Sequence, residues 1–299
     1  MNQTPKEKMR FRAHESFFIR KGWLSKGMRH VLRDPAVFKG TNDNPMDVLG
    51  LGSNRVKALR YWLQATGLTE EPRELQRNQR LTRLGQIIYE NDPYMEELGS
   101  LWLAHYRLAS NRQDATAWYY FFNEFRLSEF TRDDFLTQLG SYVRLQGSEI
   151  SPRSLEDDFN CILSTYLPHT KGTREIDPES NIDCPLRELG LIGVVSKRTK
   201  TYRKSPPLKY ALHPLILLAV LLEQAGGARE IKISALQNDP CNVGKTFNLD
   251  TITLIDLLYK IELLGHIKVE RTAGLDLVRI RTEMDFFDCV LAYYRAIGE

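Results

Sequence analysis

The chain has 299 residues, 42% hydrophobic and 26% charged, with 41 lysines and arginines against 38 aspartates and glutamates. This is the composition of a soluble globular protein with room for two or three compact units, and a net charge of +3 is too small to argue for nucleic acid unless the cations cluster locally. No run of about 18 apolar residues is present to span a membrane. The first residues, MNQTPKEKMRFRAHE, lack a signal peptide's apolar stretch, and the four cysteines are too dispersed for a paired zinc site, which points to reduced thiols in the cytoplasm.

Residues 1–13 are polar and basic. In residues 14–31, Phe17, Phe18, Trp23 and Leu24 form an apolar side and Arg20, Lys21, Lys26 and Arg29 a charged one. Its first half also fits a short strand through Phe11, Phe17 and Ile19, whereas residues 24–33 read as a helix. Asp34-Pro35 and Asn44-Pro45 mark turns, and residues 45–50 a short helix.

Residues 49–89 carry the reading. Ser53 is expected to cap a helix that Gly67 ends. Val56, Leu59, Trp62 and Leu63 would be buried, and Asn54, Lys57, Tyr61 and Gln64 would form the opposite face, flanked by Arg55 and Arg60. A segment of charges and turns follows, with Arg73, Arg77, Arg80 and Arg83. A helix followed by a charged hairpin is the order of a winged helix-turn-helix. Its arginines and lysine suit phosphates, and its asparagine and glutamine suit adenine edges. A protein-docking module with a solvated polar face stands beside this reading.

The middle reads as an all-helical block over residues 96–111, 115–125, 133–145 and 154–167. Six aromatics between Trp118 and Phe125 demand burial, and Thr131 is a helix cap. Residues 169–181 are a polar loop, and 184–189 a short helix closed by Gly190. Residues 191–195 and 208–212 read as two strands. Between them SKRTKTYRKSPP places Lys197, Arg198, Lys200, Arg203 and Lys204 around Tyr202, a basic tip suited to a phosphate backbone. A solvated basic loop is the alternative.

Residues 215–224 are a buried helix. Residues 229–281 repeat the winged pattern: Asp250 caps a helix whose Leu254, Leu257, Leu258, Ile261 and Leu264 face inward, and a hairpin turns at residues 272–274. The outer face of this helix, with Thr253, Asp256 and Lys260 and with Glu262 nearby, does not suit phosphates, so this copy is expected to dock protein or to present only Lys268, Arg271 and Arg279. Residues 283–297 close the chain as an amphipathic helix.

Three segments, HESFFIRKGWLSKG (residues 14–27), LGLGSNRVKALRYWLQATGL (49–68) and LTRLGQIIYENDPYMEELGSLWLAHYRLAS (81–110), resemble the bacterial domain-of-unknown-function family encoded in DNA phosphorothioation defence clusters, the SspB-like component of the single-strand (Ssp) system. The resemblance covers about the first third of the chain. It implies a cytoplasmic antiviral-defence protein working with a cysteine desulfurase, an ATPase and an ATP-pyrophosphatase-like protein, in a system that puts sulfur in place of a non-bridging phosphate oxygen. It also implies an association with DNA nicking, and it supplies no catalytic residues.

Nicking needs an activated nucleophile and charge stabilisation, usually from carboxylates holding metal ions. The sequence offers His14 with Glu15, and Asp92 with Glu96, which stand four apart at a helix start and are able to share Mg or Mn. Helix capping by Asp92 is the stronger reading of that pair. The expected fold is mainly α with small β-hairpins, winged helix-turn-helix units flanking a helical block, divided at 1–91, 92–225 and 226–299. The expected partner is double-stranded DNA, bound by Asn54, Arg55, Lys57, Arg60, Gln64, Arg77, Arg80, Arg198, Lys200, Arg203 and Lys204; a homodimer is compatible with the sequence. A non-catalytic adaptor and a pure protein scaffold are the alternatives.

Overall fold

Side-chain caps open several of the helices. In the computed structural model, which describes residues 8–75, 78–167, 183–208, 210–272 and 275–298, the elements are mainly helical, with small antiparallel sheets. The segment before α1 (Trp23–Arg33) is neither helix nor strand: Arg12, Glu15 and Ser16 take positive φ and fold it into tight turns. Asn44 caps α2 (Pro45–Leu49) by accepting from the Met46 N–H. In α3 (Ser53–Ala65) the flanking residue is Gly52, and Ser53 is the first helical residue with no capping bond, one position off the expected cap.

β1 (Thr69–Glu70) pairs with β2 (Arg80–Leu81), a far shorter hairpin than the run of arginines implied. Thr82 caps α4 (Arg83–Asn91), so Arg83 is a helix residue rather than a hairpin one; its guanidinium lies 4.1 Å over the Phe287 ring. Gly85 is where α4 meets β1: a Cβ there would lie 2.0 Å from the Leu68 carbonyl oxygen.

α5 (Leu98–Ala109) is the spine. Only Leu98 and Arg107 escape burial, as expected of a helix that is apolar on most sides. Trp102 Nε1 donates to the Ala211 carbonyl, Ser100 bonds Tyr294, and Arg107 meets Glu223 at 2.9 Å. Beside it α6 (Thr116–Tyr119) runs into a π-helical turn (Tyr120–Glu124), burying Trp118 through Phe122 and then Phe125 in a cluster of edge-on rings. A Thr131–Asp134 capping box opens α7 (Arg132–Leu145), and Ser151 caps α8 (Pro152–Tyr166).

A three-stranded sheet follows in the order β3 (Glu129–Phe130), β5 (Thr201–Lys204), β4 (Ile192–Ser196). The strand expected at 208–212 is therefore misplaced. Pro206 and Pro207 cannot donate to a ladder, so pairing falls to Thr201 and Tyr202 on the near side. The expected loop 169–181 and Arg77 lie outside the described residues.

α9 (Pro214–Ala225) leads to β6 (Glu230–Lys232), α10 (Ile233–Asn238), α11 (Val243–Thr246), α12 (Thr251–Leu263), β7 (Ile267–Thr272), β8 (Leu275–Ile280) and α13 (Phe286–Gly298). The sheet order is β6-β8-β7. Asp250 caps α12 as expected, but Leu264 lies past the helix end and is 51% exposed rather than inward. One contiguous apolar core runs from Ile19 to Tyr294. No helix among the described residues is long and apolar enough to cross a membrane.

His105 on α5 joins three parts of this core. Its Nε2 lies 2.8 Å from the Thr246 carbonyl, which can only accept, so Nε2 carries the proton and Nδ1 accepts from the Tyr166 hydroxyl at 2.7 Å. Burial lowers its pKa from 6.5 to about 4. A depressed folded-state pKa gives stability that is complete above pH 6.5 and is lost as pH falls through 4, worth roughly 3 kcal/mol in all. Urea titrations across this window should show stability falling more steeply for the wild type than for His105→Gln.

Candidate nucleic-acid interface

The polar side of α3 is organised by one carboxylate. Arg60 donates from Nε and Nη2 to Glu71 at 2.5 and 2.7 Å, and the Gln64 and Gln79 amides donate to the same carboxylate at 2.9 and 3.0 Å. The Glu71 hydrogen bond pushes the Arg60 pKa up despite partial burial. Two of the residues expected on DNA, Arg60 and Gln64, are thus held from within. Lys57 and Arg73, both exposed, make no ion pair among the described residues.

The N-terminal arm lies across this face. Lys8 Nζ reaches Asp114 at 2.9 Å, the Arg10 N–H donates to Thr116 Oγ1 at 2.9 Å, and the Arg12 N–H to Asp158 at 2.8 Å. The arm covers Tyr61, with the Arg10 guanidinium 5.5 Å over its ring, so Tyr61 is buried where an exposed face was expected. Between arm and helix lies a polar cleft of about 540 Å³, lined by Lys8, Arg10, Lys57, Arg60 and Arg73 against Glu15, Glu71 and Asp114, with Tyr61 and Gln64 at its wall. Five cations face three carboxylates here, an excess of two in a chain whose whole excess is three.

The other expected DNA contacts are scattered. Asn54 is exposed near the start of α3, and the Arg55 guanidinium lies 5.7 Å over the Phe17 ring. Arg80 pairs across the hairpin with Glu70 at 2.7 Å. Lys197, Arg198 and Lys200 stand exposed on the turn between β4 and β5, and Arg203 points outward from β5. Lys204 does not belong to that tip. As the next residue of a strand it faces the opposite way, and its ammonium reaches the Phe121 and Phe125 carbonyls at 2.5 and 2.6 Å. Burial lowers its pKa to about 7. It ties off the end of the π-helical turn.

The four catalytic candidates do not come together. His14 is fully buried, its Nε2 2.6 Å from Asp158 Oδ1, and only Glu15 lines the cleft. Asp92 accepts from the Glu96 and Glu97 N–H groups and from the Ser100 hydroxyl, as a loop-to-helix cap does, while Glu96 is exposed. Among the described residues no group of three or more His, Cys, Asp or Glu side chains is arranged to hold a metal ion. Asp158 was missed because its role is to meet His14, 144 residues away in sequence; no local pattern marks it.

A family-level comparison matches residues 11–294 to the family described as "Protein of unknown function (DUF4007)". Two solved structures are similar over nearly the whole chain: an SspB crystal structure and a magnesium-ion-bound SspB crystal structure. Each has a TM-score of 0.83 and 27% identity, covering 97% of this chain and 89% of SspB. No curated protein matches.

Glu71→Ala should strip three side chains of their shared acceptor and leave the half-buried Arg60 charge unmatched. The expected loss is about 2–3 kcal/mol in urea unfolding, with Arg60→Met/Glu71→Met recovering part of it.

Proposed function

The chain belongs to the DUF4007 family, and from that premise we propose that it is the DNA-binding, SspB-like component of a bacterial DNA phosphorothioation system, gripping the duplex backbone at the cleft between its N-terminal arm and α3. The observation that carries this reading is the cationic cleft, where Lys57 and Arg73 are exposed and make no ion pair among the described residues, beside a rigidly held Arg60. Unpaired surface cations gain most from phosphates, because binding releases condensed counterions without breaking an internal pair. The similarity to SspB supports the system.

In this reading the chain carries two winged-helix units. The run α9, β6, α10, α12, β7, β8, with the first strand of the unit beside the last, supports the second unit. The first has α1, α2, α3 and the short β1–β2 hairpin, with α3 as its recognition helix. The exposed Lys197, Arg198, Lys200 and Arg203 form a second contact to phosphates. The chemistry of sulfur insertion then belongs to the cysteine desulfurase, ATPase and ATP-pyrophosphatase-like partners.

A second reading, metal-dependent nicking, is favoured by the magnesium ion in one of the similar SspB structures. The described residues of this chain do not fit a ready-made magnesium site, so no cleavage step is assigned to them. Of the four candidates only Glu15 lies where a backbone held in the cleft would reach it. Plasmid relaxation in magnesium that Glu15→Gln abolishes would carry the nicking reading.

Charge reversal tests the binding reading. Lys57→Glu and Arg73→Glu should each weaken duplex binding about tenfold and lower the slope of log K against log salt by about 0.9 per lost phosphate contact. Unchanged affinity and slope in fluorescence anisotropy would remove α3 from the interface.

A further inference from the structure

The outer face of α12 is built differently from that of α3. Ile252 is 77% exposed, Tyr259 42% and Leu263 87%, and with the exposed Asp256 they succeed one another at intervals of four, three and four residues. That spacing lines them along one stripe of the helix. Leu264 prolongs the stripe past the helix end, and Tyr210, 76% exposed, lies beside it with the Lys260 ammonium 4.8 Å over its ring. Glu262, the other carboxylate nearby, is taken by Lys268 at 2.8 Å and by the Val269 N–H. Large apolar side chains at this exposure are costly unless something covers them.

The order of charge along the stripe identifies the cover. Apolar residues occupy both ends, Ile252 at one and Leu263 and Leu264 at the other, while Asp256 and Lys260 stand two residues on either side of Leu258. We propose that this face pairs with the same face of a second copy of the chain, antiparallel, about a two-fold axis that crosses the outer face of α12 at the level of Leu258, whose own side chain is buried on the inner side. Such an axis sets Asp256 against Lys260 of the second copy, and Ile252 against Leu264 of the second copy, each twice. A parallel arrangement would instead put Asp256 against Asp256 and Lys260 against Lys260. A two-fold interface has to be self-complementary in this way, residue i meeting j and j meeting i. The single anion–cation pair, flanked by apolar ends, meets that demand in one orientation only. One anion and one cation leave this face no net charge with which to attract a phosphate backbone.

Sedimentation velocity on the full chain tests this. The wild type should sediment as a dimer, and Leu263→Glu should raise its dissociation constant at least tenfold, as charge placed in an apolar contact does. Asp256→Lys and Lys260→Asp should each be monomeric, since each homodimer would face like charges twice. An equimolar mixture of the two should dimerise again, because every contact in the mixed pair is then opposite in sign. Leu263 and Asp256 are exposed and Lys260 is half-exposed, and circular dichroism checks that each variant is folded. A monomeric wild type, a dimer indifferent to Leu263→Glu, or a mixture that stays monomeric would overturn the proposal.

Discussion

A buried hydrogen bond of 2.6 Å between His14 Nε2 and Asp158 Oδ1 holds the N-terminal arm to α8. Both side chains are withdrawn from water, and the His14 ring stacks on Trp62 at 5.9 Å and meets the edge of Trp118 at 5.6 Å. Burial raises the Asp158 pKa, opposed by the His14 bond and by the Arg12 N–H on the same oxygen. Losing either partner would strand a polar group without water, which costs more than the pair itself contributes. The cost of the three positive-φ residues nearby, Arg12, Glu15 and Ser16, is carried by the same anchor, since it fixes where the turns must go. The arm is one wall of the cleft and α3 the other, so this buried pair, with the Lys8, Arg10 and Arg12 contacts beside it, fixes the cleft's shape.

Magnitudes separate the cations that are free to bind a ligand from those that are structural. The exposed Arg80–Glu70 pair is worth about 0–1 kcal/mol, so Arg80 can exchange its partner for a phosphate at little cost. Arg60 cannot, because its partner Glu71 also holds Gln64 and Gln79. Lys204 is further removed still, sealed against two carbonyls and two aromatic rings. A stretch as basic as residues 197–204 therefore splits into an exposed tip and an inner peg, and Lys57, Arg73 and the tip residues remain for an external anion.

The legible parts of the fold were those set by local chemistry. Thr131 and Asp250 cap their helices, the aromatics from Trp118 to Phe125 are buried, and Val56, Leu59, Trp62 and Leu63 form the inner stripe of α3. The remaining differences have several origins. Tyr61 sits at a polar position of its helix and is buried by an arm some fifty residues away. The 208–212 segment alternates like a strand, but tandem prolines hand the pairing to Thr201–Lys204. The outer face of α12 was read through its polar residues, Thr253, Asp256 and Lys260, while Ile252, Tyr259 and Leu263 between them dominate the surface. At the cleft, Lys57 was legible from helical spacing; Lys8, Arg10 and Asp114 were not, because only the folded arm brings them there.

The central claim is that duplex DNA lies against the arm and α3. Hydrogen–deuterium exchange on the full chain, with and without a duplex at low salt, tests it most directly. Slower exchange in peptides covering residues 8–16 and 53–75, with residues 251–264 unchanged, is the result expected. Protection confined to α12, or none at the arm and α3 under conditions where the duplex is bound, would contradict it.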